Sequence, residues 1–244
     1  MKQSEYQWEA DGRRHAFAFS AVPGTRGDPY DFGEDASRRR VHLPDYAMSR
    51  HTVTRALWTH IMGDSGKHPA LGAAAAPLDN ISWNELTRPD GFFDRLNASD
   101  IHAQLAAAGE RFRLPTETEW EYAARGGPHW RDGYRYSGSN DIDLVGWYER
   151  RHGDHPQPVG LKLPNQLGLH DMSGNMWEWC QDAFTADVDR IPVDGTPYAG
   201  PSNDRVLRGG CFHNWAIHCT VSKRYNIAPD SHDGCISVRV VLGS

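Results

Sequence analysis

Residues 113–127 read RLPTETEWEYAARGG and carry the strongest folding signal in the chain. Thr116 and Glu119 have the spacing of a capping box, in which each side chain accepts a hydrogen bond from the other residue's backbone amide. Trp120 and the alanines that follow it share one helical face, and Gly126 can end the helix. We therefore predict a short helix that begins after Thr116 and packs its aromatic face into a core.

Two earlier segments carry weaker helix starts. Thr54 can cap the segment RALWTHIM, which Gly63 can end. Ser82 forms a second capping box with Glu85. In VHLPDYAMS the alternation of a strand is partial, and Pro44 marks it as an edge strand or an interrupted one.

The closing part of the chain predicts strands separated by long loops. RVLRGG (205–210) and ISVRVVL (236–242) have strand character. Residues 126–170 are rich in Gly, Asp and His and read mostly as loop. Loops of this length in a compact protein are usually functional or held by a metal. The sequence thus predicts an α+β fold with few helices, short strands and long ordered loops.

Composition excludes several classes of function. With 244 residues, 39% hydrophobic and 24% charged, the chain reads as a water-soluble globular protein. Its net charge of −6 argues against nonspecific binding to nucleic acid. No apolar run reaches the length of a membrane span, and the polar start does not resemble a signal peptide. We therefore expect a cytoplasmic protein whose four cysteines are reduced.

Three motifs in order carry a family resemblance. RLPTETEWEYAARGG, then NQLGLHDMSGNMWEWCQD (165–182), then RVLRGG resemble the formylglycine-generating enzyme family, also called the sulfatase-modifying factor family, over roughly residues 15–242. The resemblance implies one domain over residues 1–244, with a loop-rich fold related to C-type lectins. The family includes copper-dependent enzymes that oxidise a cysteine to formylglycine, domains of iron-dependent sulfoxide synthases, and variable binding proteins diversified by retroelements.

The acidic loop of this family implies a structural calcium site. Matched onto the sequence, its ligands are the side chains of Asp171 and Glu178 and the carbonyls of Gly174 and Met176. Carboxylates and carbonyls at a turn are ligands that calcium prefers. The alternative is that Asp171 caps a turn while Glu178 pairs with an arginine such as Arg208.

The enzymatic thiol pair of the family is matched in part. Cys219 falls where the resemblance places the second catalytic cysteine, but Asn214 and Trp215 replace the first cysteine and its histidine. Cys211 is a possible substitute, although it is eight residues away rather than five. One hypothesis is therefore a divergent oxygen-dependent oxidoreductase that uses Cys219 with Cys211 and copper or iron, and acts on a thiol or a peptide.

A different metal site is a further alternative. The closing segment contains soft and borderline ligands whose spacing fits no zinc motif. They could hold a metal only if distant parts of the segment met in space. The candidates are Cys211, His213, His218, Cys219, His232 and Cys235.

The favoured hypothesis is a binding face over residues 211–235. Aromatic, His and Asn side chains depart there from the family pattern, and such side chains make good contacts on a rigid frame. Residues 211–244 contain no Glu, Gln or Met, which fits adenine-directed diversification of Asn codons. We expect the partner to be a protein or a small molecule, and Ile236 and Val240 to lie in the core. The predicted contact residues are Phe212, His213, Asn214, Trp215, Ile217, His218, Tyr225, Asn226, Ser231, His232 and Asp233.

These hypotheses predict different geometries. The oxidoreductase needs two soft ligands within about 4–5 Å of each other in a cleft. The binding module needs its aromatic and histidine side chains spread over one exposed face.

Overall fold

A computed structural model describes residues 4–10, 12–34, 37–63 and 75–244. The strands are β1 (Glu5–Ala10), β2 (Arg13–Val22), β3 (Tyr30–Glu34), β4 (Ser37–Val41), β5 (Tyr46–Ser49), β6 (Arg111–Arg113), β7 (Trp177–Ala183), β8 (Arg205–Arg208), β9 (Arg224–Ile227), β10 (Ile236–Ser237) and β11 (Val241–Gly243). The helices are α1 (Arg55–Met62), α2 (Trp83–Thr87), α3 (Phe92–Asn97), α4 (Asp100–Leu105), α5 (Glu117–Ala124) and α6 (Ile142–Val145). Short 3-10 turns cover Gly127–Asp132, Val188–Arg190 and Ala216–His218.

The strands form two main sheets and a hairpin. The first sheet has the order β1-β2-β5-β11-β6, the second has the order β10-β7-β8-β9, and β3 pairs with β4. All pairs are antiparallel except β10 with β7. Short helices and long ordered loops fill the rest of the described chain, so the α+β prediction is confirmed.

The three predicted helix starts are confirmed. The side chain of Thr54 accepts from the amide of Leu57, and Gly63 follows α1. Complete capping boxes open α2 at Ser82 and α5 at Thr116. These caps satisfy backbone amides that would otherwise lack partners, which allows helices of only five to eight residues.

Helix α5 lies deeper than its amphipathic pattern predicts, since all eight of its residues are buried. Its glutamates are neutralised by arginines. Glu117 accepts two hydrogen bonds from Arg224, at 2.6 and 2.7 Å, and lies 3.4 Å from Arg208. Glu121 pairs with Arg208 and Arg125. A buried carboxylate without such partners would be expensive, so these pairs make the burial of α5 possible.

The predicted last strand, ISVRVVL, is broken in two. β10 pairs with β7 in one sheet, while β11 pairs with β5 and β6 in the other. The chain therefore changes sheets between Ser237 and Val241. Ile236 and Val240 are buried, as expected. Pro44 likewise falls in the gap between β4 and β5, so the interrupted strand is confirmed, although β5 lies inside its sheet rather than at an edge.

The described helices are all short. Within the described residues, none of them combines the length and the apolar character that crossing a bilayer requires.

Candidate functional site

Two cross-strand rows organise the four-stranded sheet. Glu178, Arg208 and Arg224 stand opposite one another across β7, β8 and β9, and we call them the charged row. The neighbouring positions Trp179, Leu207 and Tyr225 form the apolar row. Because successive strand residues point to opposite faces, the two rows face opposite ways. The charged row faces α5, and the apolar row runs from the core toward a groove.

The groove has a volume of about 360 Å³ and lies where the apolar row reaches the surface. Its residues come from β7, β8, β9, β10 and the loops that follow β8 and precede β10. Large apolar side chains form one part of its lining, and polar side chains form the rest. The apolar members are Trp177, Leu207, Tyr225, Ile227 and Ile236, and the others are His213, Asn214, His218, Lys223, Asp233 and Cys235.

Two aromatic rings stack at this groove. The ring centroids of Trp177 and Tyr225 are 5.5 Å apart, and their planes differ by 30°. Trp177 is buried, whereas Tyr225 is 50% exposed. The loop that follows β8 supplies His213, Asn214 and His218 to the groove and forms its rim. It adds two more exposed apolar side chains, since Trp215 is 68% exposed and Ile217 is 60% exposed. Exposed apolar groups of this size, gathered beside a groove, are typical of binding surfaces.

A second depression adjoins the groove. It has a volume of about 570 Å³ and is lined by Arg38, Arg125, Arg135 and Ile217, with Glu34 as its one acidic member. Lys223 lines both depressions. The aromatic groove and the basic depression are therefore neighbours on the surface.

Two glycines fix the point where the chain leaves β8 for the groove. Both Gly209 and Gly210 have positive φ. A Cβ atom on Gly210 would lie 2.6 Å from the carbonyl oxygen of His218 and 2.7 Å from the sulfur of Cys219. Only glycine fits such a turn without displacing its neighbours. The RGG motif thus sets the direction of the segment that follows it.

Seven of the predicted contact residues lie in the groove or at its rim, and four do not. Those that line the groove are His213, Asn214, His218, Tyr225 and Asp233, and Trp215 and Ile217 are exposed at the rim. Phe212 was predicted to make contacts, but it is buried. Its side chain packs in the main core cluster, and its amide donates to the carbonyl of Asn175.

The remaining three are engaged with the protein itself. Asn226 donates to the carboxylate of Asp204 at 2.6 Å. His232 lies 2.8 Å from a carboxylate oxygen of Glu85. Ser231 is half-buried, and its amide closes a turn onto Ala228.

Sequence reasoning missed part of the groove. The predicted contact residues do not include Trp177, which belongs to both the core and the groove. Leu207, Lys223 and Ile227 were also not assigned to the site. Alternation within β7 and within β8 predicts which residues share a face with Trp177 and which with Leu207. The sequence does not show that the two strands are neighbours, so these residues could not be assigned to one groove.

Three soft ligands converge at the edge of the groove. The ligand atoms of Cys211, His213 and Cys235 all lie within 4.8 Å of one another. The Cys235 sulfur is 3.1 Å from Nδ1 of His213. The neighbouring Cys235 thiol lowers the pKa of Cys211, and the Cys211 thiol in turn raises the pKa of Cys235. Both cysteines are buried, and His213 is exposed.

Cys219 belongs to a different environment. It packs with Tyr136, Ile142, Val145 and Tyr148, and burial raises the pKa of its thiol. Its sulfur approaches the carbonyl of Cys211 at 4.0 Å. The sulfur of Cys211 instead contacts the amide oxygen of Asn214 at 3.1 Å. Cys211 is therefore grouped with Cys235 and His213, and not with the partner that the oxidoreductase hypothesis assigned to it.

In the acidic loop, Glu178 pairs with Arg239 rather than with Arg208. Its carboxylate accepts from Arg239 at 2.8 Å and from the indole of Trp120 at 2.6 Å. Asp171 has positive φ, and one of its oxygens accepts from the amide of Gly160.

The other carboxylate oxygen of Asp171 is buried without a hydrogen-bond partner among the described residues. Burial raises the pKa of this carboxyl. An unpartnered buried carboxylate oxygen near a second carboxylate fits a hard cation such as calcium. The fit is weakened by Arg239, which already neutralises Glu178.

Comparisons with known proteins agree with this architecture. Residues 18–243 match the sulfatase-modifying factor enzyme 1-like domain family. Chaperone protein LppX of Paenibacillus barcinonensis is 30% identical over 185 residues, which cover 59% of this chain and 64% of that protein. The formylglycine-generating enzyme of Streptomyces coelicolor is 29% identical over 247 residues, which cover 91% of this chain and 72% of that enzyme. The chain thus spans less than two thirds of the Paenibacillus protein.

A solved structure is similar over nearly the whole length. Treponema denticola variable protein 1 superposes with a TM-score of 0.78 at 26% identity, covering 98% of this chain and 99% of that one. With the matched residues, the capped helix α5 and the RGG turn taken together, this chain belongs to the sulfatase-modifying factor enzyme 1-like domain family.

Proposed function

We propose that the chain is a binding module whose partner is a protein with an acidic segment. The observation that carries this proposal is the group of exposed large apolar side chains, Trp215, Ile217 and Tyr225, beside a groove on a rigid sheet. Aromatic anchors surrounded by a polar rim account for most of the binding energy in protein interfaces.

The charge of the adjoining depression indicates the chemistry of the partner. Arg38 and Arg135 are exposed there, and Lys223 links the depression to the groove. A basic patch on a chain of net charge −6 favours an acidic segment locally. An apolar side chain of the partner would enter the aromatic groove while its carboxylates meet the arginines.

The name of the Treponema relative supports this proposal, because that protein is called a variable protein. The absence of Glu, Gln and Met from residues 211–244 is consistent with a diversified segment. Diversification by a retroelement would leave a reverse transcriptase gene and a near-repeat of the 3′ end in the neighbouring DNA. Finding neither would remove this part of the proposal and leave the binding face untouched.

The oxidoreductase alternative has less support. Asn214 occupies the position that matches the first catalytic cysteine, and its amide oxygen accepts from the backbone amide of Cys211 at 3.0 Å. An amide cannot replace a thiolate as a ligand for copper(I).

We also propose that Asp171 holds a structural calcium ion with Glu178 and the carbonyls of Gly174 and Met176. The unpartnered oxygen of Asp171 supports this proposal. The ion would stabilise the loop between Leu169 and β7 and take no part in binding the partner.

The binding proposal is tested by site-specific photo-crosslinking in the native host. A photoreactive residue at position 217 should capture a defined protein, and one at position 193 should not, since Val193 is also exposed but lines neither depression. Tyr225→Ala and Arg135→Glu should each reduce capture at least tenfold, which corresponds to about 1.4 kcal/mol. Val193→Ala should leave it unchanged. Capture that survives both groove substitutions would contradict the proposal.

A further inference from the structure

We propose that Cys211, His213 and Cys235 form a metal site for a thiophilic d10 cation, zinc(II) or copper(I), with its open position facing the groove. This site differs from the thiol pair that the family resemblance implies, because Cys219 takes no part in it. The inference goes beyond the proposed binding function and does not depend on it, since the isolated protein should take up the metal.

The fold brings these ligands together through one short segment of backbone. Cys235 lies 24 residues after Cys211, so local sequence cannot hold them side by side. Phe212 donates its amide to the carbonyl of Asn175, and the amide of Trp177 donates to the carbonyl of Cys235. Both ligand segments are thus fixed to residues 175–177. The site is built before any metal arrives, which lowers the entropic cost of binding.

The spacing of the ligand atoms suits a metal. In a tetrahedral zinc site with bonds of roughly 2.3 Å to sulfur and 2.0 Å to nitrogen, a sulfur and a nitrogen are about 3.6 Å apart. The Cys235 sulfur and the His213 nitrogen are 3.1 Å apart. An outward movement of about half an ångström would admit the ion. His213 is exposed and lines the groove, so its ring has room to move.

The chemistry of the ligand set also favours a soft cation. Two thiolates balance the charge of zinc(II), and two thiolates with an imidazole suit copper(I). The ligand atoms of all three residues lie within 4.8 Å of one another, so a single ion can reach them. Both thiols must lose their protons to bind the ion, so metal uptake releases protons.

Three protein ligands leave one coordination position open, as in catalytic zinc sites. Two of the three, His213 and Cys235, line the groove together with His218 and Asp233. The carboxylate of Asp233 accepts from the amide of Cys235 at 2.8 Å and so positions that ligand. A donor atom of a molecule bound in the groove could therefore complete the coordination.

The test is titration of the full chain, reduced and freed of metal under anaerobic conditions. Cobalt(II) is added as a spectroscopic substitute for zinc, and copper(I) is titrated in parallel. We expect one equivalent to bind, with a sulfur-to-cobalt charge-transfer band that zinc abolishes. Copper(I) that binds in the presence of excess zinc would show that the site prefers copper(I), and copper(I) that zinc displaces would show that it prefers zinc.

Variants assign the ligands. Cys211→Ser and Cys235→Ser should abolish the charge-transfer band. His213→Ala is the variant least able to disturb folding, because His213 is exposed. It should weaken binding by at least the roughly 10–100-fold that loss of a supporting outer group costs. Near-ultraviolet circular dichroism verifies that each variant is folded.

Matched controls are the two other buried cysteines. Cys219→Ala and Cys180→Ala should retain the band, since neither residue belongs to the cluster. Loss of the band in Cys219→Ala with retention in Cys235→Ser would overturn the proposal and indicate the family's thiol site. A folded, reduced protein that shows no sulfur-to-cobalt band would overturn it as well.

Discussion

The two faces of the four-stranded sheet are built from adjacent residues but differ in polarity and exposure. On one face, the charged row of Glu178, Arg208 and Arg224 meets the glutamates of α5, and Glu178 and Arg208 are fully buried there. On the other face, the apolar row runs from buried Trp179 to half-exposed Tyr225. One face therefore buries charge, and the other exposes apolar surface.

This difference separates stability from recognition. Glu178 and the glutamates of α5 are each paired with an arginine, so a change there leaves a buried charge without its partner. The apolar row ends in solvent, where a side chain can be replaced without opening a cavity. A surface used for binding can thus vary while the face behind it holds its shape.

The largest expected effect comes from breaking the charged row. Arg208→Ala removes the guanidinium that contacts both Glu117 and Glu121, so it should lower the free energy of unfolding by about 3–5 kcal/mol. Urea denaturation followed by tryptophan fluorescence measures the change. The control is Arg26→Ala, whose partner Asp45 is 65% exposed, and which should cost no more than about 1 kcal/mol. Equal losses of stability in both variants would show that the buried ion pairs of Arg208 contribute no more than an exposed pair.

Calcium should stabilise the same face, because Glu178 belongs both to the charged row and to the proposed cation site. At a free calcium concentration of about 100 times Kd, the free energy of unfolding should rise by about 2.7 kcal/mol. Thermal unfolding with calcium and with a chelator measures this difference. Asp171→Asn should remove the dependence on calcium. A transition that calcium leaves unmoved in the wild-type protein would end the calcium proposal.

A pH dependence should also arise on the charged face, from Asp182. Burial and the nearby Glu117 raise the pKa of its carboxyl to about 7, against about 4 in an unfolded chain. Between these values the native state holds a proton that the unfolded state has lost. Stability therefore falls as pH rises through that window, by up to about 1.4 kcal/mol per pH unit.

The comparison of wild type with Asp182→Asn isolates this contribution. The variant cannot ionise, so its free energy of unfolding should decline less between about pH 5 and about pH 7. Urea denaturation at several pH values gives the two slopes. Parallel slopes would mean that Asp182 does not titrate in this range.

The smallest effect is expected at the exposed end of the apolar row. Tyr225→Ala should cost about 1 kcal/mol or less, since half of the ring already faces water. Trp179→Ala, at the buried end of the same row, should cost about 3–5 kcal/mol. Both values come from the same denaturation experiment. A large loss in Tyr225→Ala would mean that this residue supports the fold rather than a partner.

Local signals in the sequence predicted the local structure well. The capping boxes at Ser82 and Thr116 gave two helix starts, because a cap is formed by residues three positions apart. The break in the last strand was not predictable, since it depends on β10 and β11 joining different sheets. Long-range pairing leaves no signal in a seven-residue pattern.

The candidate site was predicted in part for the same reason. His213, His218 and Tyr225 stood out as unusual residue types, and they do line the groove. Phe212 looked equally suited to contacts, but its side chain is buried in the core cluster, which depends on long-range packing. The grouping of Cys211 with Cys235 depends on two segments held against residues 175–177, which spacing along the chain could not show.

The RGG turn has a practical consequence for protein engineering. The backbone conformation of Gly209 and Gly210 sets the direction in which the chain leaves β8. That direction does not depend on the side chains of the segment that follows. A display library that randomises His213, Trp215, Ile217, His218 and Tyr225 would keep one backbone across its members. Affinity reagents selected from it would differ in specificity while sharing one scaffold.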